Sequence, residues 1–427
     1  MKKIILFIVI FIYIYPVFLK TLPIPLDRVL QIAGLGVLLL NPNELLKIIN
    51  SKYVQNFFLI TLFLTAFSVI VQVRIVGQYD FTFIIRIINT FFYLLSSYFV
   101  FSVSRWTYGT VRLHHIFRYI VYAAVVQCII SLVFFIEPSY FEKYFSLLNE
   151  DNEAYIKRIT LIKYRFIGVG SEFFGGVIKY GVAFLSVLLL PYFQESKKSV
   201  FSNKTFYSLS IGLIVLGGIM TGRTFFIAII LGIIMASALK AESLHKFVLN
   251  NIKIFIGIVL AFPFLYLLLN LFVEPNRMDR ILGWAFEFLV DFDANDGVET
   301  SSTNRMAEML ILPDSIGTWL MGDGRFTDPS GGYYMHTDIG YIRMLFYFGL
   351  PITLFFIYVL FRYSKILYSI KPSRVLKYFF ITIFFWFIIL NIKGFAFHSY
   401  YFTLFLIFLT FSEGTRNKPS SFGHYLQ

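Results

Sequence analysis

Residues 57–76 read FFLITLFLTAFSVIVQVRIV, an apolar run in which Arg74 is the single charge. As an α-helix a run of that length spans about 30 Å, the thickness of a bilayer's hydrocarbon core. A helix that is apolar all round belongs in a membrane or in a large core. Similar runs recur along the chain, at 4–19, 22–40, 57–76, 81–103, 116–136, 171–193, 206–220, 225–239, 254–273, 338–361, 378–392 and 395–411. The predicted fold class is therefore all-α, a polytopic membrane helical bundle of about twelve transmembrane spans with a large outer loop containing short helices. Two pairs stay open between separate helices and one broken helix: 206–220 with 225–239, and 378–392 with 395–411, the latter divided only by Asn391, Lys393 and Gly394.

Composition agrees with that class. Hydrophobic residues make up 58% of the 427 and charged residues 14%, with a mean hydropathy of +0.74, whereas a soluble domain carries about 25% charged residues. A soluble enzyme, a disulfide scaffold and a disordered chain are excluded. Cys128 is the single cysteine and lies in an apolar run, so it forms no internal disulfide and offers no metal cluster.

The net charge of +13 follows from topology. With Met1-Lys2-Lys3 inside, the inner segments hold 20 basic residues against four acids, Glu44, Glu195, Glu242 and Glu413. The other 17 basic and 20 acidic residues fall in outer loops or spans. This is the positive-inside pattern, with both termini cytoplasmic, and it leaves no call for nucleic acid. The first run resembles a signal peptide but lacks a small-x-small cleavage site, and Tyr15-Pro16 stands where one would be expected. An uncleaved first helix is predicted.

The chain divides into 1–273 with spans one to nine, a large periplasmic loop over 274–337, spans ten to twelve over 338–411, and a cytoplasmic tail, 412–427. A second outer segment, 137–170, is also long. Within the large loop, Arg277 to Asp291 places Met278, Ile281, Leu282, Ala285, Phe286 and Leu289 on one face, which predicts a helix lying in the outer interface. Asp291 to Thr303 is polar and reads as exposed and mobile. Asn304 to Leu312 reads as a second short helix, stopped by Pro313.

A charge in or beside a span needs a partner, a wet cavity or the interface. Arg86 lies five residues inside the fourth span with Asn89 one turn on; a buried pair and a ligand role are both open. Glu172 is placed to pair with Lys179, or to act in catalysis. Arg74 and Arg343 sit near span ends and either snorkel or bind a partner. His398, just inside the last span, reads as a structural hydrogen-bonding residue. In Thr221-Gly222-Arg223-Thr224, glycine permits a break, and the N–H groups opening the next helix beside a guanidinium make a site suited to phosphate. An interfacial anchor is the alternative.

The most informative stretch closes the outer loop: Asn304-Arg305-Met306-Ala307-Glu308, then Leu320-Met321-Gly322-Asp323-Gly324-Arg325-Phe326, then His336-Thr337-Asp338-Ile339-Gly340-Tyr341, followed by Gly349-Leu350-Pro351. This order of an arginine before a short helix, a Gly-x-Gly turn, a histidine with Asp at the head of a span and a later glycine resembles the O-antigen ligase and polysaccharide polymerase superfamily, most closely a Wzy-type polymerase. Arg223 resembles that superfamily's arginine at an earlier outer boundary. The layout matches over most of the chain, the specific motif only over 305–349. One departure is that eleven residues separate Arg305 from Gly317, where some polymerases have an Arg-x10-Gly pattern.

The resemblance implies an enzyme of the bacterial inner membrane that polymerises undecaprenyl-pyrophosphate-linked oligosaccharide repeat units into O-antigen or capsular polysaccharide on the periplasmic face. It would work in membrane lipid beside a flippase and a chain-length regulator. A ligase acting on lipid A core is the alternative, and a lipid-linked oligosaccharide flippase a further one; the concentration of charge in one outer loop beside a histidine favours an enzyme. In such a transfer the leaving pyrophosphate gathers negative charge that must be neutralised. Arginine's planar, permanently charged fork suits that task, so Arg223 and Arg305 come first, with Arg86, Arg277, Arg280 and Arg325 behind. The acceptor hydroxyl needs a base, for which His336 is first choice and Asp338 or Glu172 the runner-up. Tyr333, Tyr334 and Tyr341 either stack on sugar or belong to an interfacial belt. No nucleotide loop is found in a cytoplasmic segment, and no cofactor or metal is expected.

Overall fold

Long apolar runs free of proline propagate as helix, and the breaks fall where proline or glycine removes a donor or demands a left-handed backbone. The computed structural model describes residues 1–74, 79–150, 152–170, 173–193, 204–240, 301–328 and 331–411. The predicted span 254–273 and the predicted interfacial helix from Arg277, with Arg280, lie outside the described residues.

Helix α1 (Lys2–Ile14) stops at Tyr15-Pro16, short of the predicted end at 19, because proline cannot continue the ladder. α2 (Leu26–Leu39) and α3 (Pro42–Ile49) are bent by 104° at the intervening Leu40-Asn41. α4 (Lys52–Arg74), α5 (Thr82–Tyr108) and α6 (Leu113–Ile136) follow. The segment 137–170 is a folded cap: α7 (Pro138–Ser146) and α8 (Asn152–Leu161) gather Phe134, Phe141, Phe145, Leu148, Ile162 and Ile167 into their own apolar cluster, with Val17 and Leu19 against it. α9 (Phe173–Leu189), α10 (Lys204–Thr221) and α11 (Phe225–Lys240) come next. Then come α12 (Ser301–Glu308), α13 (Ile316–Met321), α14 (Gly340–Phe348), α15 (Leu350–Ile370), α16 (Arg374–Lys393) and α17 (Ser399–Phe411).

The protein is a multi-pass helical membrane protein. Among the described residues six helices are long and apolar enough to cross a membrane, or seven if bent α2–α3 is one span, and α10, α11 and α17 are shorter apolar helices. Isolated bridges pair Leu19 with Leu148 and Thr327 with Tyr333. Both open pairs resolve as separate helices: α10 and α11 are interrupted at 222–224, and α16 and α17 are parted by residues 394–398.

Two departures from the sequence reading concern the loop. The predicted span 338–361 is broken at Gly349, which has φ +79° and would place an added Cβ 2.5 Å from the Leu320 backbone. α14 therefore packs as a separate buried helix before α15 begins at Leu350-Pro351. α12 ends at Glu308 rather than running to Leu312, so Pro313 is not its stop.

Two hubs organise the bundle. α5 contacts α1, α2, α4 and α17, while α9, buried almost throughout from Gly176, contacts α6, α10, α11 and α16. At one end the chain closes through Tyr53 donating to the Ser369 carbonyl (3.1 Å) and the Arg105–Glu44 ion pair. At the other, here called the loop end, α4 closes, α5 opens, and residues 320–340 dock.

Candidate functional site

Asp80, in the short connection between α4 and α5, organises the loop end. Its Oδ2 accepts from the N–H of Phe326 (2.7 Å) and Thr327 (2.6 Å) and from Thr327 Oγ1 (2.9 Å), while Oδ1 accepts from Thr82 N–H (2.9 Å). Burial pushes this carboxyl up, but the bonds from Thr327, Thr82 and Phe326 outweigh it and hold Asp80 below the usual carboxylate range. Gln72 continues the anchor, donating to the Gly324 carbonyl (2.7 Å) and Tyr347 Oη (3.0 Å) and accepting from Asp80 N–H (2.7 Å). Arg74 does not snorkel free: it donates to the carbonyls of Met321 (3.0 Å) and Gly322. The Gly322-Asp323-Gly324 turn is thus built against α14, where an added Cβ on Gly322, φ +66°, would lie 2.5 Å from the Tyr347 carbonyl carbon.

What this docking places is Phe326, fully buried among Phe83, Phe395 and Tyr347. Two arginines flank it. Arg343 is 4% exposed, 3.7 Å over the Phe326 ring and 4.1 Å over Tyr333, and donates to the Phe326 carbonyl at 3.1 Å. Arg86 is accessible and lies 5.4 Å over Phe326 and 5.6 Å over Phe395. Among the described residues Arg86 makes no hydrogen bond or ion pair. Cation–π contact at an exposed site is worth about 0.5–1 kcal/mol, and it leaves the outward N–H groups available.

Further cations converge from other elements. Arg165 and Arg223 act electrostatically on one another, and Lys393, at the end of α16, lies within reach of both and of Asp338. Burial lowers the affinity of Arg165 for its proton, and the neighbouring Arg223 lowers it further against an opposing contribution from Tyr164. Asp338 and Asp80 also act on Arg343, and His398 feels Lys179 and Arg86. Asn391 holds the 394–398 break open for this grouping, donating to the Phe387 (2.8 Å) and Ala396 (3.0 Å) carbonyls and accepting from Ala396 N–H (3.0 Å).

His336 is exposed at the tip of a short 3-10 turn, Tyr334–His336, in which both Met335 (φ 56°) and His336 (φ 54°) are left-handed. Each such residue costs on the order of 1–3 kcal/mol and is held by its surroundings. Here the hold comes from Thr337, fully buried, whose Oγ1 donates to the Met309 carbonyl at 2.8 Å.

Of the residues singled out in the sequence, Arg86 acts on Arg343, Arg223 acts on Lys393, and Asp338 acts on both Arg343 and Lys393, which links the two groups at the loop end. Arg325 stands apart over Tyr334 at 6.0 Å. Tyr341 donates its hydroxyl to the Ile388 carbonyl (2.8 Å), tying α14 to α16. Arg305 is in α12 and its side chain lies outside the described part of the structure; Glu172, Arg277 and Arg280 lie outside the described residues. Lys179, expected beside Glu172, donates to the Gly170 carbonyl (2.7 Å) and lies 5.0 Å over Tyr15. His398, read from the sequence as a structural hydrogen-bonding residue, has a buried Nδ1 with no partner among the described residues. Missed altogether were Asp80, Gln72, Phe326, Arg165 and Lys393. Only Lys393, a charge between two apolar stretches, carried a signal in the sequence.

Compared with known protein families, curated proteins and solved structures, the chain matches none.

Proposed function

We propose that the protein is a polysaccharide polymerase of the bacterial inner membrane, transferring a growing glycan from undecaprenyl pyrophosphate onto a new lipid-linked repeat unit. In this reading the chain crosses about twelve times, both termini are cytoplasmic and the loop end faces the periplasm. The charge bias of the sequence supports that orientation, and the Arg305, His336 and Gly349 motif supports the family.

The observation that carries the reading is Arg86: an accessible guanidinium over two phenylalanine faces with no ion pair among the described residues, acting on Arg343, which Asp338 links to a second cationic group of Arg165, Arg223 and Lys393. A pyrophosphate leaving group is the anion that such a cluster neutralises as charge develops. Arg86 and Arg223 contact it, with Arg305 from the motif. Arg343, buried behind Phe326, adds positive potential and fixes the ring. His336 takes the acceptor proton, with Asp338 the alternative. No nucleotide or divalent metal is needed, since breaking the anomeric C–O bond to the donor's pyrophosphate already supplies the driving force.

Purified protein given a lipid-linked repeat unit as the sole acceptor tests this: a ladder of products is expected. Transfer to added lipid A core without a ladder would make it the ligase. Absence of both would remove the glycosyl-transfer reading and leave lipid-linked glycan transport.

A further inference from the structure

A cavity of about 410 Å³ opens at the loop end between the Pro16–Pro25 connection, the α7–α8 cap and the glycines Gly168, Gly170 and Gly175. That size falls in the range of about 300–1,000 Å³ that holds a small ligand. Its chemistry is opposite to that of the arginine cluster. Asp27 and Glu150 line it against one cation, Arg158, which is paired with Glu150. The carboxylate of Asp27, half-buried in the first turn of α2, has no hydrogen-bond or ion-pair partner among the described residues. Its neighbour Arg28 is turned away, donating to Gln31 Oε1 (2.9 Å) and Asn89 Oδ1 (2.8 Å). Tyr144 adds an aromatic wall, its ring stacked on Phe134 and its hydroxyl accepting from Gly170 N–H at 3.2 Å.

A carboxylate facing a cavity without a donor from the described residues is open to hydrogen bonds from a ligand there. A net negative lining repels phosphate. One carboxylate acceptor, an aromatic wall and glycine backbone instead suit a neutral, hydroxyl-rich ligand. The cavity also adjoins the cationic cluster by two routes. Asp27 and Arg86 both act electrostatically on Tyr93. Gly170, in the cavity wall, is held by Lys179, which acts on His398 beside Arg86.

We infer that this cavity is the saccharide subsite for the acceptor end of the repeat unit, with Asp27 accepting hydrogen bonds from sugar hydroxyls beside Tyr144. The assignment to the acceptor rests on the polymerase reading; the class of ligand, an uncharged oligosaccharide, rests on the lining itself.

The test uses full-length protein in nanodiscs and, as probe, the free oligosaccharide released by mild acid from the lipid-linked units that accumulate in cells lacking the protein. Calorimetry should give binding to wild type, weakened about 10- to 100-fold in Asp27→Asn, as expected when hydrogen bonds to a charged acceptor are lost. Tyr144→Ala should weaken it independently, which keeps the test sound if one variant fails to fold. No binding to wild type, or equal affinity in both folded variants, overturns the subsite. A ladder assay on the same wild-type preparation reports separately on the polymerase reading. Binding without a ladder sinks that reading and leaves a saccharide site, whereas a ladder with unaltered binding in both variants sinks the subsite alone.

Discussion

The two ends of the bundle treat their cations in opposite ways. At the end away from the loop, Arg105 is paired with Glu44, and the Tyr98 hydroxyl donates to the same carboxylate. At the loop end, Arg86 and Arg343 are held by ring faces and a backbone carbonyl, and one neighbouring carboxylate, Asp80, is spent on the N–H groups of Phe326 and Thr327. An ion pair closes its own field, so the first arrangement is inert. A guanidinium on an aromatic face keeps its field for an incoming anion. The contrast separates fastening from function more clearly than burial does.

The largest expected effect falls at the loop end. His336→Ala should lower polymerisation about 10²- to 10⁴-fold, the usual contribution of a general base, while lipid-linked repeat units accumulate in the cell. Polymer of altered length at a normal rate would instead make His336 a positioning residue of its strained turn. Next comes Arg86→Ala, expected to slow transfer about 10²- to 10³-fold, as removal of one charge-stabilising donor does. Arg86→Lys should fall between, because it keeps charge and loses the fork. An unchanged rate in Arg86→Ala would break the comparison, since a cation with no ion pair among the described residues would then be serving no ligand.

Asp80 sharpens the comparison from the structural side. Asp80→Ala leaves the Phe326 and Thr327 N–H groups without acceptors and should cost about 1–3 kcal/mol, each such group being expensive when buried. Because its folded pKa is lowered, Asp80 contributes stability that is fully present above the ordinary carboxylate pKa and is lost as pH falls through the folded value. Thermal unfolding followed from pH 7 down to pH 3 should therefore show a steeper loss in wild type than in Asp80→Asn. Parallel curves would mean that the docking does not depend on the ionised carboxylate.

Much of the fold was legible because apolar runs announce helices wherever they fall, and the ends of α4, α6 and α9 lie within a few residues of expectation. The break at Gly349 was not, although the glycine was noted. Its cause is the Leu320 backbone lying against it, a contact between segments almost thirty residues apart that no local pattern encodes. The site was legible in part for the same reason. Arg86 and Arg223 stand out because charge in an apolar run is costly. Asp80 and Gln72 are ordinary polar residues near a helix end, and only the docking of residues 321–327 gives them a role. Phe326 is one of 53 phenylalanines, and its place between two arginines is set entirely by tertiary packing.

The smallest effect is expected at the opposite end, and it bears on the comparison as much as the largest. Arg105 is 39% exposed and Glu44 21%, so solvent screens their attraction and an exposed pair of this kind is worth about 0.2–1 kcal/mol. Glu44→Gln should lower thermal stability by no more than that, leave the ladder assay unchanged, and lose its effect in high salt. The amide still accepts from Tyr98, so the fold has no reason to rearrange. A loss of transfer in Glu44→Gln comparable to that of Arg86→Ala would mean that the two ends are coupled, for instance through the length of α5, which carries Arg86 near one terminus and Arg105 near the other. The division between a fastened end and a ligand-binding end would then have to be abandoned.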